Sequence, residues 1–137
     1  MTKAEHDKIY HLIRTGESIW FQNQFETNIY CILKETKKDF VWLSLKEIEE
    51  KISFYKSNYL GYFPNEFKGT DCIAIYGITG FISKGNTIND IIGQYFPKKQ
   101  IILLTMNDFD IKDFIGGVSI DKWNAYISFL YPSHPKH

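Results

Sequence analysis

Three aspartates in the last third of the chain are the residues that come nearest to a metal-binding pattern. Asp108 and Asp110 are separated by one residue, and Asp113 follows after a lysine. Alternating carboxylates can supply oxygen ligands to Ca²⁺ or Mg²⁺. A calcium-binding EF-hand loop also needs further oxygen ligands, a central glycine and a terminal glutamate at fixed positions, which this segment does not supply. We expect solvated loop and helix-capping carboxylates here, and no metal site.

Two glycine-containing segments lie where phosphate-binding loops lie. The segment Gly77–Gly80 follows a predicted strand, and Gly85–Thr87 precedes a predicted helix, whose N-terminus could hold an anion through its free N–H groups. The first segment lacks the G-x-G-x-x-G spacing. The second lacks the Gly-Lys-Ser/Thr sequence with upstream glycines that a Walker-type loop needs. We expect turns at both places and no bound cofactor.

Acid–base and nucleophilic residues form no recognisable catalytic set. Asp7 and His11 are four residues apart on a predicted helix, which is the spacing of a His–carboxylate dyad but also of an ordinary surface pair. The chain contains no G-x-S-x-G and no H-E-x-x-H sequence. Cys31 and Cys72 lie in apolar, strand-like runs without a nearby histidine, so we expect buried, inert thiols. The sequence predicts no catalytic residues and leans against an enzyme, although distant residues could still assemble a site.

The elements that would position these residues begin with a helix. Thr2 and Glu5 have the spacing of a capping box, and Gly16 supplies an end. Three segments with period-two alternation follow, separated by short polar turns: residues 17–25, 28–35 and 39–45. Such segments are typical of an antiparallel three-strand meander.

The second half of the chain predicts a β-α-β unit. A helix capped by Ser44 comes first, then a strand at residues 71–76, a short helix from Thr87 and an uninterrupted apolar strand at residues 100–105. Strand, helix and strand in this order favour a right-handed parallel crossover. Ser119 would cap a terminal helix. The expected fold is therefore α+β (mixed α/β), with about five strands in one mixed sheet and four helices, in one compact domain over residues 1–137 with a frayed tail at 133–137.

The charge balance argues against several partners. Sixteen basic residues balance sixteen acidic ones, and Arg14 is the only arginine, whereas nucleic-acid binding favours a basic excess. The N-terminus is polar, and the apolar runs are too short to span a bilayer. We expect a cytoplasmic protein that binds neither nucleic acid nor membrane.

A surplus of aromatic residues, 17% of the chain, is the strongest remaining signal. Exposed aromatics serve as anchors in protein interfaces, whereas buried ones form a second core layer. The candidate partner-binding residues are aromatic side chains and the neighbouring acidic group: Trp20, Trp42, Tyr59, Tyr62, Asp108, Phe109, Asp110 and Asp113.

These observations favour a small protein-binding module, of the kind that bacteria make as immunity or antitoxin proteins and phages make as inhibitors. Its partner would be a protein such as a toxin or nuclease, whose basic cleft would meet the acidic segment at residues 108–121. One alternative is an enzyme or ligand-binding domain with a pocket at the carboxyl ends of the parallel strands. Four polar residues would line that pocket: Tyr76, Thr79, Thr105 and Asn107. A second alternative is a structural homo-oligomer.

Overall fold

Helices and strands alternate along most of the described chain. The computed structural model describes residues 1–22, 26–61, 66–79, 81–105 and 125–128. Its elements are α1 (Lys3–Arg14), β1 (Ile19–Gln22), α2 (Glu26–Thr36), β2 (Phe40–Ser44), α3 (Leu45–Asn58), β3 (Cys72–Ile78), α4 (Phe81–Tyr95), β4 (Gln100–Thr105) and β5 (Ala125–Ser128). Successive parallel strands need a crossover between them, and α2, α3 and α4 lie between the successive strands from β1 to β4.

The described strands form one sheet in the order β2-β3-β4-β1-β5, and every strand pairing in it is parallel. The predicted antiparallel meander and mixed sheet are therefore wrong. Short polar segments between apolar runs indicated tight turns between strands. The apolar run at residues 28–35 instead forms the crossover helix α2. The architecture is that of a parallel α/β sheet with helices on both faces.

The error arose at residues 28–35, which were expected to be a strand and lie in α2. The same residues also satisfy a helical period, and the buried positions of α2 follow it: Ile29, Ile32, Leu33 and Thr36. A short apolar run without a glycine or proline is compatible with either period. Cys31 consequently lies on the exposed side of a helix, whereas Cys72 is buried in β3 as expected.

Two predicted helix starts are confirmed. In α1, the Thr2 hydroxyl accepts from the Glu5 N–H and the Glu5 carboxylate accepts from the Thr2 N–H. In α3, Ser44 and Glu47 form the same reciprocal pair. Both capping boxes satisfy backbone N–H donors that a helix start leaves unpaired, and they therefore set the residue at which each helix begins.

The predicted β-α-β unit is also confirmed, since β3 and β4 pair in parallel with α4 between them. The helix begins at Phe81 rather than at Thr87. All six residues of β4 are buried. The predicted terminal helix is wrong at Ala125–Ser128, which forms β5 beside β1. The rest of that predicted helix and the tail at 133–137 lie outside the described residues.

Two apolar cores lie on the two faces of the sheet. On one face, α3 and α4 cover alternate residues of the strands, including Trp20, Leu43, Ile75 and Leu103. On the other face, α1 and α2 cover the intervening residues, including Phe21 and Leu104. In this second core the side chains near the β2 edge, Phe40 and Trp42, are only partly buried. Within the described part of the chain, no helix has the length and apolar character needed to cross a membrane.

Candidate functional site

An open groove lies at the carboxyl ends of β2 and β3, on the face that α1 and α2 cover. Its volume is about 440 Å³. The side chains that line it come from α2, β2 and β3: Glu26, Thr27, Tyr30, Trp42 and Tyr76. We refer to these five residues as the aromatic groove. Ligand sites in parallel α/β sheets favour this edge, where the strands end and the crossover helices begin.

Strand order and register place the rings together. β2 is an edge strand, and its residues Trp42 and Ser44 pair with Ala74 and Tyr76 of β3. Trp42 and Tyr76 are thus diagonal neighbours on one face, at a spacing that large aromatic side chains can bridge. Ala74 has the smallest side chain of these positions and is fully buried beside Trp42.

The rings form two walls at nearly a right angle. Trp42 and Tyr76 stack with 5.0 Å between centroids and 15° between planes. Tyr30 meets Trp42 edge-on, at 5.1 Å and 77°, and meets Phe40 at 5.7 Å in the same manner. All four rings are partly exposed. Stacked and edge-to-face pairs of this kind hold aromatic side chains in fixed orientations, so the groove is preorganised.

A backbone irregularity connects the groove to a carboxylate. The register between β3 and β4 shifts between Ile75 and Ile78, and Gly77 within this bulge has a φ of 67°. The Gly77 N–H donates to the Glu26 Oε2 over 2.8 Å. A left-handed φ is costly for residues with a Cβ, so glycine permits the bend that directs this N–H toward α2.

A second carboxylate lies at the Tyr76 side of the groove. The Tyr76 hydroxyl donates to Glu47 Oε1 over 3.2 Å. The pKa of Glu47 is lowered chiefly by the hydrogen bond from the Ser44 N–H, so this carboxylate is ionised at neutral pH. The pKa of the Tyr76 phenol is raised by burial, by its bond to Glu47, and by the charges of Glu47 and Glu26. The groove is therefore bordered by negative charge.

The predicted partner-binding residues fall in different environments. Trp42 lies in the aromatic groove, but Trp20 is 0% exposed and belongs to the α3/α4 core. Tyr59 is 94% exposed at the end of α3, and Phe54 and Leu60 are also exposed. The other predicted partner residues lie outside the described residues: Tyr62, Asp108, Phe109, Asp110 and Asp113.

The predicted pocket residues are likewise divided. Tyr76 lines the aromatic groove, and Thr79 is exposed beyond the end of β3. Thr105 is fully buried, where its hydroxyl accepts from the Trp20 Nε1–H at 3.0 Å and donates to the Phe21 carbonyl at 3.3 Å. Both hydrogen-bonding functions of Thr105 are thus used inside the core. Asn107 lies outside the described residues.

Sequence reasoning missed the α2 side of the groove: Glu26, Thr27 and Tyr30. These residues were missed because residues 28–35 were assigned to a strand rather than to a helix. The helical spacing of the buried positions of α2 was the available signal. It would have placed Tyr30 on the flank of a helix rather than on a sheet face.

Comparison with known proteins identifies the fold but no family. No protein-family model matches the chain, and no curated protein matches it. One similar solved structure is the replication initiator DnaA bound to AMPPCP and single-stranded DNA, at 14% identity and a TM-score of 0.58 over 90% of this chain. Another is AMPPCP-bound DnaA from Aquifex aeolicus, at 13% identity and a TM-score of 0.56 over 91%. The chain spans 45% and 44% of these two DnaA chains. The α/β sheet of this protein is therefore similar in fold to part of DnaA.

Proposed function

We propose that this chain is a protein-binding module that contacts its partner through the aromatic groove. The observation that carries the proposal is the fixed, partly exposed arrangement of Tyr30, Trp42 and Tyr76. Tryptophan and tyrosine are enriched among residues that dominate binding energies in protein interfaces. Rings that are already oriented lose little conformational entropy when a partner covers them.

Nucleotide binding is the function that the two DnaA structures suggest, since both contain AMPPCP. Triphosphates in strand–loop–helix sites are held by glycine-rich loops and a lysine at the helix N-terminus. In this chain, residues 19–30, which span β1 and the start of α2, contain no glycine and no lysine, and residues 77–87 contain no Gly-Lys-Ser/Thr sequence. Glu26 is instead the first residue of α2, and its carboxylate accepts from the Gly77 N–H. A carboxylate at this helix start satisfies the positive end of the helix dipole and repels phosphate.

Single-stranded DNA, which one of the DnaA structures contains, is also disfavoured as a partner. The chain has equal numbers of acidic and basic residues and a single arginine. The carboxylates of Glu26 and Glu47 border the aromatic groove. Aromatic platforms for single strands combine stacking with a positively charged groove, and this groove carries the opposite charge.

A narrower version of the proposal is that the partner is a toxin or nuclease and that the chain acts as an immunity, antitoxin or inhibitor protein in the cytoplasm. Free thiols at Cys31 and Cys72 are compatible with a reducing compartment. The acidic segment that motivated this version lies outside the described residues. The groove supports protein binding without specifying this class of partner.

Site-specific photocross-linking in the native cells tests the proposal. A benzophenone amino acid would replace Thr27, which is exposed in the groove, and in a matched control it would replace Asp90, which is exposed on α4. We expect one partner protein to cross-link from position 27 and not from position 90. A product of twice the mass of the chain would replace the proposal with the homo-oligomer alternative.

Binding of that partner, once purified, is the decisive measurement. We expect Trp42→Ala and Tyr30→Ala to weaken binding about tenfold or more, the loss typical of an interface anchor. The matched control Phe54→Ala removes an exposed ring of α3 and should leave binding unchanged. Unaltered affinity in both groove variants would overturn the proposal. Saturable binding of AMPPCP to the wild-type chain would favour the nucleotide alternative instead.

A further inference from the structure

We propose that the aromatic groove binds the guanidinium group of an arginine side chain on the partner protein. This inference rests on the proposed function and adds the chemistry of the partner. Its elements are an aromatic wall, two carboxylates and a cavity of about 440 Å³ that is open to solvent. The aromatic wall and the carboxylates favour a flat cation over a neutral or anionic group, and the cavity has room for it.

The indole of Trp42 is the principal surface for a cation. Aromatic faces attract cations through their quadrupole, and tryptophan does so most strongly. Two of the tyrosines on this side of the molecule already interact with cations, since Lys34 lies 5.6 Å from the Tyr30 centroid and Arg14 lies 6.0 Å from the Tyr10 centroid. Because Trp42 and Tyr76 stack nearly parallel, each ring covers one face of the other, and the guanidinium would stack on the remaining face of the Trp42 indole.

The carboxylates supply the complementary charge. The ion pairs among the described residues include His6–Asp7, His6–Glu35, Lys46–Glu50 and Lys51–Glu66. Neither Glu26 nor Glu47 belongs to one of them, and their charges act together on the Tyr76 hydroxyl. A positive group entering the groove would therefore meet two carboxylates that have hydrogen-bonding partners but form no direct ion pair within the described residues, although the charge of Lys51 also acts on Glu47.

Arginine fits these features better than lysine. The guanidinium is planar and weakly hydrated, so it can stack on an indole while its N–H groups point in the ring plane toward a carboxylate. The Glu26 Oε2 accepts from the Gly77 N–H, which fixes the carboxylate, and Oε1 is the oxygen that would accept from the guanidinium. A lysine ammonium is compact and strongly hydrated, and it gains less from a flat wall.

NMR titration of the full chain with short capped peptides tests the inference. The probes are acetyl-Gly-Arg-Gly-amide, its citrulline analogue, which keeps the shape but not the charge, and its lysine analogue. The Trp42 indole N–H reports binding, and Trp42→Phe assigns its resonance. The Trp20 indole, which is buried and bonded to Thr105, is an internal reference that should not move. We expect saturable millimolar binding of the arginine peptide, weakened about fivefold or more for citrulline and also for lysine.

Variants locate the binding. Glu26→Gln keeps the size of the side chain and should weaken arginine-peptide binding several-fold, whereas the matched change Glu50→Gln on α3 should not. Equal binding of the arginine and citrulline peptides, or no saturable binding of either, would overturn the guanidinium assignment. Tighter binding of the lysine peptide would overturn it as well. If the purified partner still loses affinity with Trp42→Ala in that case, the protein-binding proposal stands without this inference.

Discussion

Trp20 and Trp42 belong to opposite faces of one sheet, and their surroundings differ sharply. Trp20 is fully buried under α3 and α4, and its indole N–H donates to Thr105. Trp42 is partly exposed on the face of α1 and α2, among Tyr30 and Tyr76. The cause lies in strand order, because β1 has neighbours on both sides and β2 is at the edge. A tryptophan is a core residue or a candidate interface anchor according to where its strand lies in the sheet.

Truncation of the two tryptophans should give the largest difference between the faces. We expect Trp20→Ala to lower the free energy of unfolding by ~3–5 kcal/mol, as core aromatic deletions do. Trp42→Ala should cost clearly less, because water already reaches part of this ring. Urea unfolding followed by circular dichroism measures both. Equal losses would mean that Trp20 and Trp42 are equally buried, and the proposed difference between the two faces would be wrong.

Thr105→Val tests whether the polar groups buried in the core under α3 and α4 depend on their hydrogen bonds. Valine has nearly the same shape but cannot accept from the Trp20 indole, which leaves a buried donor without its partner. The expected loss of unfolding free energy is ~1–3 kcal/mol. Thr105→Ser is the matched control, because it keeps the hydroxyl and removes only a methyl group, at a cost of about 0.8 kcal/mol. A smaller loss for valine than for serine would contradict the buried hydrogen bond.

Gly77→Ala tests the backbone bend that directs the Gly77 N–H toward Glu26 in the aromatic groove. The Cβ would lie 3.8 Å from the Ser44 Cβ, an ordinary contact, so the cost comes from the φ of 67°. We expect a loss of ~1–2 kcal/mol in the free energy of unfolding. Gly69→Ala is the control, since that position has open space around it and no positive φ. If both substitutions leave stability unchanged, the bulge at Gly77 is not held in the left-handed conformation.

Features set by nearby residues were predictable from the sequence. The capping boxes at Thr2 and Ser44 need only residues three apart, and both are present. The continuous apolar run of β4 predicted a strand buried on both faces, which it is. The β3-α4-β4 unit followed from the order of its elements. For the capping boxes and the β4 run the signal lies within a few residues along the chain, and for the β3-α4-β4 unit it lies within three consecutive elements.

Features set by residues distant in sequence were not predictable in this way. Alternation in β1 and β2 does not say whether the strands run parallel, and the segment at Ile29–Thr36 fits two periods. The burial of Trp20 depends on α3 and α4, which follow it in the chain. The aromatic groove joins α2 to Trp42 and Tyr76, and these two rings meet only through the parallel register of β2 and β3. Periodicity carries no information on that register.

The smallest expected effect on stability concerns the contact between α1 and α2, the two helices on the face of the sheet that carries the aromatic groove. His6 Nδ1 lies 3.4 Å from Asp7 Oδ1, and its Nε2 lies 2.8 Å from Glu35 Oε2 on α2. Hydrogen bonds to Asp7 and Glu35 raise the pKa of the His6 imidazole above its ordinary value of 6.5. The folded state therefore holds this proton more tightly than the unfolded state does.

It follows that the contribution of His6 to stability is fully present below pH 6.5 and is lost as the pH rises through the raised pKa of the folded state. An NMR titration of the His6 ring protons should give a midpoint above 6.5. Glu35→Gln should move this midpoint downward, and Glu50→Gln on the opposite face should not. A midpoint that does not respond to Glu35→Gln would show that the two helices are not joined through this pair. The rise in stability toward low pH should be small, because the pair is exposed and salt screens it.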